Sequence, residues 1–280
     1  MQKQALAIHD LSCVGRCSLT VALPVLSACG IHTSALPTAL LSTHTGEFTG
    51  YTCLDLTGEM RHIAAHFATL PLHFDGLYSG FLGSFAQIEL VGNVLERYRG
   101  ADVLTLVDPV MADHGRLYAT YTREMADGMG ALCRLADVIV PNLTEASLLL
   151  NVPYDPEPSW DDVRCLLEGL AARYGCGQVI ITGVRQGDQL GAASFSAADG
   201  RFSYAGAPRL PQVFYGTGDV FASGLMAAML LGQSADQAAQ TAVSFTHDAM
   251  THTLQNGLPL RYGVAFEQAL PGLLRAVLER

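Results

Sequence analysis

Short apolar runs alternate along the chain with longer stretches in which apolar residues recur every three or four positions. The runs at 5–9, 34–37, 76–79, 103–107, 138–140 and 179–182 are too short for helices, and the pattern predicts strands there. The stretches near 17–29, 59–69, 84–99, 122–134 and 160–174 carry the helical period. Strand–helix alternation repeated this often predicts an α/β fold, with a central mostly parallel sheet flanked by helices on both faces. Segments 190–196 and 201–205, joined through Ala198-Asp199-Gly200, predict a β-hairpin instead. Helices at 219–231, about 235–252 and 263–278 close the chain. No internal repeat, low-complexity tract or linker breaks the pattern, so residues 1–280 read as a single domain.

In open sheets of this kind, ligands bind beyond the carboxyl ends of the strands. His9-Asp10, Ser79-Gly80, Asp108-Pro109, Asn142 and Thr182-Gly183 each follow one of the predicted strands. One polar group after a strand means little, because loops are polar. Five along the same edge mark a site.

Composition narrows what that site serves. Half of the residues are hydrophobic and 15% are charged, which allows a substantial core and argues against disorder. The 26 acidic residues outnumber the 16 basic ones, which disfavours nucleic acid or an anionic membrane surface as a partner. Seven cysteines, at 13, 17, 29, 53, 133, 165 and 176, show no C-x-x-C spacing and read as thiols of a reducing cytoplasm. Cys13 and Cys17 have no His or Cys pair elsewhere to complete a zinc set. His9 and Asp10 interrupt the apolar N-terminal run, so it does not read as a signal peptide. The longest apolar run, 220–231, is too short to span a bilayer.

The chemistry concentrates in Gly216-Thr217-Gly218-Asp219, at the mouth of an apolar helix. The chain has no Walker A motif, and this stretch lacks the G-x-G-x-x-G pattern of dinucleotide folds. Glycines before a helix let its unpaired first-turn amides approach a ligand, and with the helix dipole they form an anion site. Such amides stabilise a phosphoryl group in flight, while an adjacent acid takes the proton from the attacking hydroxyl. The plainer alternative is that Asp219 or Thr217 caps the helix.

Asp108, Asp113, Asn142 and Glu145, in "VDPVMAD" and "PNLTE", place acids in two strand-end loops. A Mg²⁺ that carries nucleotide phosphates needs few protein carboxylates, often through water. Asp113 and Thr182 also suit a monovalent cation, K⁺ or Na⁺. Asn142 and Glu145 equally match a helix start that needs only a cap. In "LLSTHTGEFTGY", Ser42, His44 and Thr45 read as a polar loop that can hydrogen-bond a small heteroaromatic ring. Phe81 in "YSGFLGS" is a candidate wall for that ring, or a core residue.

Taken in order, "STHTG", "SGFLGS", "DPVMAD", "PNLTEASLL", "VIIT" and "GTGDVFASGL" resemble the ribokinase-like superfamily, and within it the pyridoxal/pyridoxamine (vitamin B6) kinases. The resemblance runs through most of the chain. It implies a ribokinase-like fold with a reduced lid and ATP-dependent phosphorylation of the 5′-hydroxymethyl group of a B6 vitamer. It implies Asp219 as catalytic base, with Gly216, Thr217 and Gly218 as the anion hole. Asp108 and Glu145, with Asn142, resemble positions that meet ATP and Mg²⁺, and Asp113 and Thr182 a monovalent-cation site. Asp10 and Thr45 match positions that contact the pyridine ring, with Ser42, His44 and Phe81 nearby. A homodimer is implied too.

Two departures stand out. Asp10 replaces the serine usual after the first strand, and "GRCSLT" lacks the usual glycine-asparagine pattern. Hydroxymethylpyrimidine kinases share the fold, but their loop generally carries a cysteine where this chain has Asp219. A nucleotide- or vitamer-binding sensor without turnover is the alternative of a different class. The acids at 108, 145 and 219 argue against it, because a mere binder has no use for a base.

Overall fold

The computed structural model of the chain describes residues 1–119 and 121–279. The chain begins β1 (Gln4–Val14), α1 (Leu19–Ala28), β2 (His32–Thr43), β3 (Cys53–Asp55), α2 (Thr57–Phe67), β4 (Gly76–Ser79), α3 (Phe85–Tyr98) and β5 (Leu104–Val107). It continues β6 (Ala112–Asp113), β7 (Arg116–Leu117), α4 (Arg123–Cys133), β8 (Val138–Ile139), α5 (Leu143–Leu150) and α6 (Trp160–Tyr174). Then come β9 (Gln178–Gln186), β10 (Gln189–Ser196), β11 (Arg201–Pro208), α7 (Thr217–Leu230), α8 (Ala235–Gln255), a 3₁₀ turn at Leu260–Tyr262, and α9 (Phe266–Leu278).

One nine-stranded sheet runs β11-β10-β9-β8-β5-β4-β1-β2-β3. The six strands from β9 to β2 pair in parallel, as the strand–helix alternation requires. Antiparallel strands close both edges: β3 on β2, and the predicted hairpin, β10 with β11, on β9. The side chains divide into two cores. Leu6, Ile8, Leu77 and Ile181 face one layer, while Ala5, Ala7, Tyr78 and Leu106 face α7 and α8 on the other. Alternation along a strand produces that division, since adjacent side chains point to opposite faces. Among the described residues no helix is long and apolar enough to cross a membrane.

The structure moves several boundaries that bear on the site. β1 does not stop at residue 9 but runs to Val14, and β2 runs to Thr43 rather than 37. His9 and Asp10 therefore lie inside a strand. Pairing slips by one between His9↔Pro37 and Leu11↔Leu40, and this irregularity re-aims the chain at Asp10. Thr182 likewise sits within β9, not after it. The strands β3, β6 and β7 carry too few apolar residues to be seen in the sequence.

Candidate active site

α7 starts at Gly216, whose φ of 73° lies in the left-handed region that glycine tolerates. A methyl group at 216 would overlap the Arg16 carbonyl oxygen. The helix start and the β1–α1 loop are therefore in backbone contact. Asp219 occupies the first turn, yet no side chain caps this helix. Its carboxylate instead receives the backbone N–H of Ser18. Burial, with the nearby Asp10 charge adding, pushes Asp219 up to about 7, while the Ser18 bond pulls the other way. The residue as a whole is only partly buried. An acid at a helix start, uncapped and near neutrality, is poised to accept a proton.

Ser18 is also the link to Asp10. Its hydroxyl donates to Asp10 Oδ1 at 2.5 Å, and Ser12 donates to Oδ2 at 3.1 Å. Ser18 adopts φ 52°, a conformation costly for a residue with a Cβ, and so delivers its N–H to one acid and its O–H to the other. Asp10 is 5% exposed; burial raises its pKa, while the two serines and the more distant His44 lower it. Sequence reading passed over Ser12 and Ser18, although "GRCSLT" had marked the segment as unusual.

The remaining acids divide by role. Asn142 and Glu145 form the capping box at the start of α5: Glu145 N–H donates to Asn142 Oδ1 at 3.0 Å, and Asn142 N–H to Glu145 Oε2 at 2.9 Å. Glu145 Oε1 accepts from Met111 N–H at 3.0 Å and Ala112 N–H at 3.4 Å. Both oxygens are thus occupied. Asp108 is buried, with no ion pair among the described residues, and burial, Glu145 and Asp219 all push its pKa up. Asp113 lies apart on the exposed β6–β7 turn, bonded to His114 N–H at 2.8 Å. Asn142 connects it to Thr182: its side chain donates to Ala112 O at 2.8 Å, and it bridges Thr182, whose N–H donates to Pro141 O at 2.9 Å.

Among the described residues no three His, Cys, Asp or Glu side chains converge on a metal position. The expected set Asp108, Asp113, Glu145 and Thr182 is therefore no preformed cage, because backbone amides already hold the Glu145 oxygens. The site does fit a divalent cation carried on phosphates. Among the described residues no cationic side chain pairs with Asp108, Glu145 or Asp219, whose mutual repulsion a bound cation would relieve, and the one lysine of the sequence, Lys3, pairs with Asp75 at the opposite end of the strands.

The polar loop differs most from expectation. Gly46 N–H donates to His44 Nδ1 at 3.1 Å, so the ring proton sits on Nε2, which meets Arg261 O at 2.6 Å. Both nitrogens serve the backbone. The ring stacks on Tyr215 at 5.5 Å and meets Phe48 edge-on at 4.9 Å. His44 therefore fastens its loop to the turn before α9 and to the approach to α7. Ser42 closes the loop by accepting from Thr52 N–H at 3.0 Å, and Thr45 is exposed at its tip. Phe81 is half-buried, edge-on to Tyr121 at 6.0 Å, and its carbonyl accepts from Thr38.

A parallel sheet with an acid at a glycine-cradled helix start, and further acids on neighbouring strand ends, defines a ribokinase-like small-molecule kinase. Known proteins agree. The sequence profile of the phosphomethylpyrimidine kinase family matches residues 22–261. A pyridoxal kinase of Rubrobacter xylanophilus is 28% identical over 285 residues, spanning 95% of this chain and 92% of that protein. The solved pyridoxal kinase of Lactobacillus plantarum is 36% identical, with a TM-score of 0.91 over 98% of this chain and 97% of that one. A Bacteroides thetaiotaomicron protein described as a phosphomethylpyrimidine kinase, solved with pyridoxal, is also 36% identical, with a TM-score of 0.93 over 98% and 96%. The chain belongs to the phosphomethylpyrimidine kinase family, whose ribokinase-like phosphotransferases include relatives named as pyridoxal kinases.

Proposed function

We propose that this kinase transfers the γ-phosphoryl group of ATP to the 5′-hydroxymethyl group of a B6 vitamer. The observation that carries the reading is Asp219, free of any capping duty, tied to Ser18 N–H and raised to about 7. Asp219 takes the hydroxyl proton, and the amides of residues 216–218 stabilise charge on the phosphoryl oxygens. Mg²⁺, when bound, would neutralise the charge of the nucleotide phosphates; Asp108 and Glu145 would hold it, and Asp113 and Thr182 would hold a monovalent cation. Ser42, His44 and Thr45 shape the vitamer loop, and Phe81 walls the ring. The reading includes a homodimer in the cytoplasm, which the seven free thiols fit. A vitamer is preferred to hydroxymethylpyrimidine because relatives matching along nearly the whole chain are named as pyridoxal kinases. ATP consumption by the purified protein with pyridoxal, pyridoxamine, pyridoxine and hydroxymethylpyrimidine tests it. A clear pyrimidine preference would overturn the vitamer assignment.

Asp10 tunes that choice. A partly desolvated carboxylate against a cationic amine or ring nitrogen contributes on the order of 1–3 kcal/mol, roughly tenfold to a hundredfold in affinity. Pyridoxamine is therefore expected to be used at least as well as pyridoxal, and Asp10→Ser to shift the ratio of their kcat/KM toward pyridoxal. An unchanged ratio confines Asp10 to anchoring Ser12 and Ser18.

Asp108→Asn and Glu145→Gln are expected to raise the Mg²⁺ concentration for half-maximal rate more than the vitamer KM. Glutamine keeps one acceptor for Asn142 N–H, but its NH2 then faces the Met111 and Ala112 N–H groups, so Tm is measured beside the titration to separate lost charge from lost packing. Mg²⁺ titrations that superpose on wild type would return both acids to a structural role.

A further inference from the structure

The buried layer beneath Asp219 contains three polar side chains that phosphoryl transfer leaves unused. Gly76 and Tyr78 share one face of β4, being two residues apart. That face meets α7, since a methyl group at Gly76 would overlap Met226 and press on Leu230. Two residues along the strand, Tyr78 is level with the preceding turn of α7, which bears Ser223. Ser223 follows Asp219 by four residues, on the same side of the helix. His9 completes the row from β1. Its ring stands edge-on to Tyr78 at 4.2 Å and 77°, so close to Gly80 that a methyl group there would overlap it.

All three side chains are wholly inaccessible. The Tyr78 hydroxyl lies toward Ser223, whose hydroxyl lowers the Tyr78 pKa against the larger effect of burial, yet the pair falls short of full hydrogen-bond geometry; neither His9 nitrogen has a partner among the described residues. A buried polar atom left unpaired costs about as much as a lost hydrogen bond. Such atoms are rare in folded proteins, and two on one ring beside a poorly bonded pair of hydroxyls need an explanation. The row is neutral throughout. Burial holds His9 down to about 3, so one ring nitrogen donates while the other accepts. Burial and the Asp219 and Asp108 charges keep the Tyr78 phenol protonated.

We propose that His9, Tyr78 and Ser223, bridged by bound water, form a buried relay that holds the Asp219 carboxylate in its reactive orientation. No larger ligand reaches atoms without accessible surface, and a buried water typically makes about three hydrogen bonds. The three are positioning residues, since none reaches substrate. The proposal rests on Asp219 being the base.

Tyr78→Phe and Ser223→Ala, each made in wild-type and Asp219→Asn backgrounds, test it. In the wild-type background each is expected to lower kcat about tenfold, the scale of one neutral hydrogen bond. KM for vitamer and ATP stays within about twofold, the scale of a few tenths of a kcal/mol, and any change in Tm is the same in both backgrounds, because the bridging water keeps its other partners in each. In the Asp219→Asn background neither changes the residual rate, because the relay acts only through that carboxylate. Wild-type kcat in both variants, an equal fractional loss in both backgrounds, or a loss that tracks a fall in Tm would overturn the relay. Wild-type turnover by Asp219→Asn itself would instead remove the base assignment, and the relay with it.

Discussion

Asp219→Asn is expected to lower kcat by roughly 10²–10⁴, the usual cost of removing a general base, with nucleotide binding little changed. Asparagine keeps the shape of the side chain, and no capping bond is lost because none exists. The wild-type rate should fall as pH drops through about 7, where Asp219 takes up its proton, and that acid limb should vanish in the variant. Stability moves the other way. The native state holds this proton more tightly than the unfolded chain does, so the contribution of Asp219 is full below the ordinary carboxyl range and is lost as pH rises through about 7. Asparagine removes the charged form, so Tm at pH 8 should hold or rise. Near-wild-type turnover in this variant would leave Asp219 a structural acid that only holds Ser18 N–H.

The parts of the site visible in the sequence are those whose physics is local. Gly216-Thr217-Gly218-Asp219 announces itself because a left-handed glycine and an acid at a helix start are neighbours in the chain. The Asn142–Glu145 capping box is similarly compact, and the spacing that suggests a phosphate site also satisfies a helix end. What stayed hidden depends on distant partners. Ser18 joins Asp10 to Asp219 across eight residues one way and two hundred the other, through a backbone conformation that composition does not encode. His44 looked like a ligand for a ring, but its Nε2 is claimed by a carbonyl 217 positions away. The strands were shortened for a related reason. Beyond His9 and Pro37 the polar residues stay in the sheet because the two strands pair with each other past a slip in register. A hydrophobic period does not register them, because several, Asp10, Ser12 and Thr38 among them, are buried polar side chains.

The two glycines of the helix start are expected to fail in different ways when each is replaced by alanine. At 216 the added methyl meets the Arg16 carbonyl oxygen, and φ 73° is unfavourable for any residue with a Cβ, by about 1–2 kcal/mol before the overlap is counted. Relief requires the β1–α1 loop to move, which takes Ser18 away from both Asp10 and Asp219. The Gly263 turn lies against the same carbonyl, with an added Cβ there only 2.6 Å away, so the loop has little room. Gly216→Ala should therefore lose several degrees of Tm and about 10²–10³ in kcat, the cost of misplacing one oxyanion donor. At 218 a methyl group meets nothing within 4 Å, and alanine is the better helix residue. Gly218→Ala should hold or gain Tm. Its methyl enters open space at the helix start, and a phosphoryl group bound at that start would meet it. The rate should fall there without any loss of stability. Measuring Tm and kcat/KM for both variants separates the two effects: a fully active Gly218→Ala would mean that no phosphate approaches this helix start.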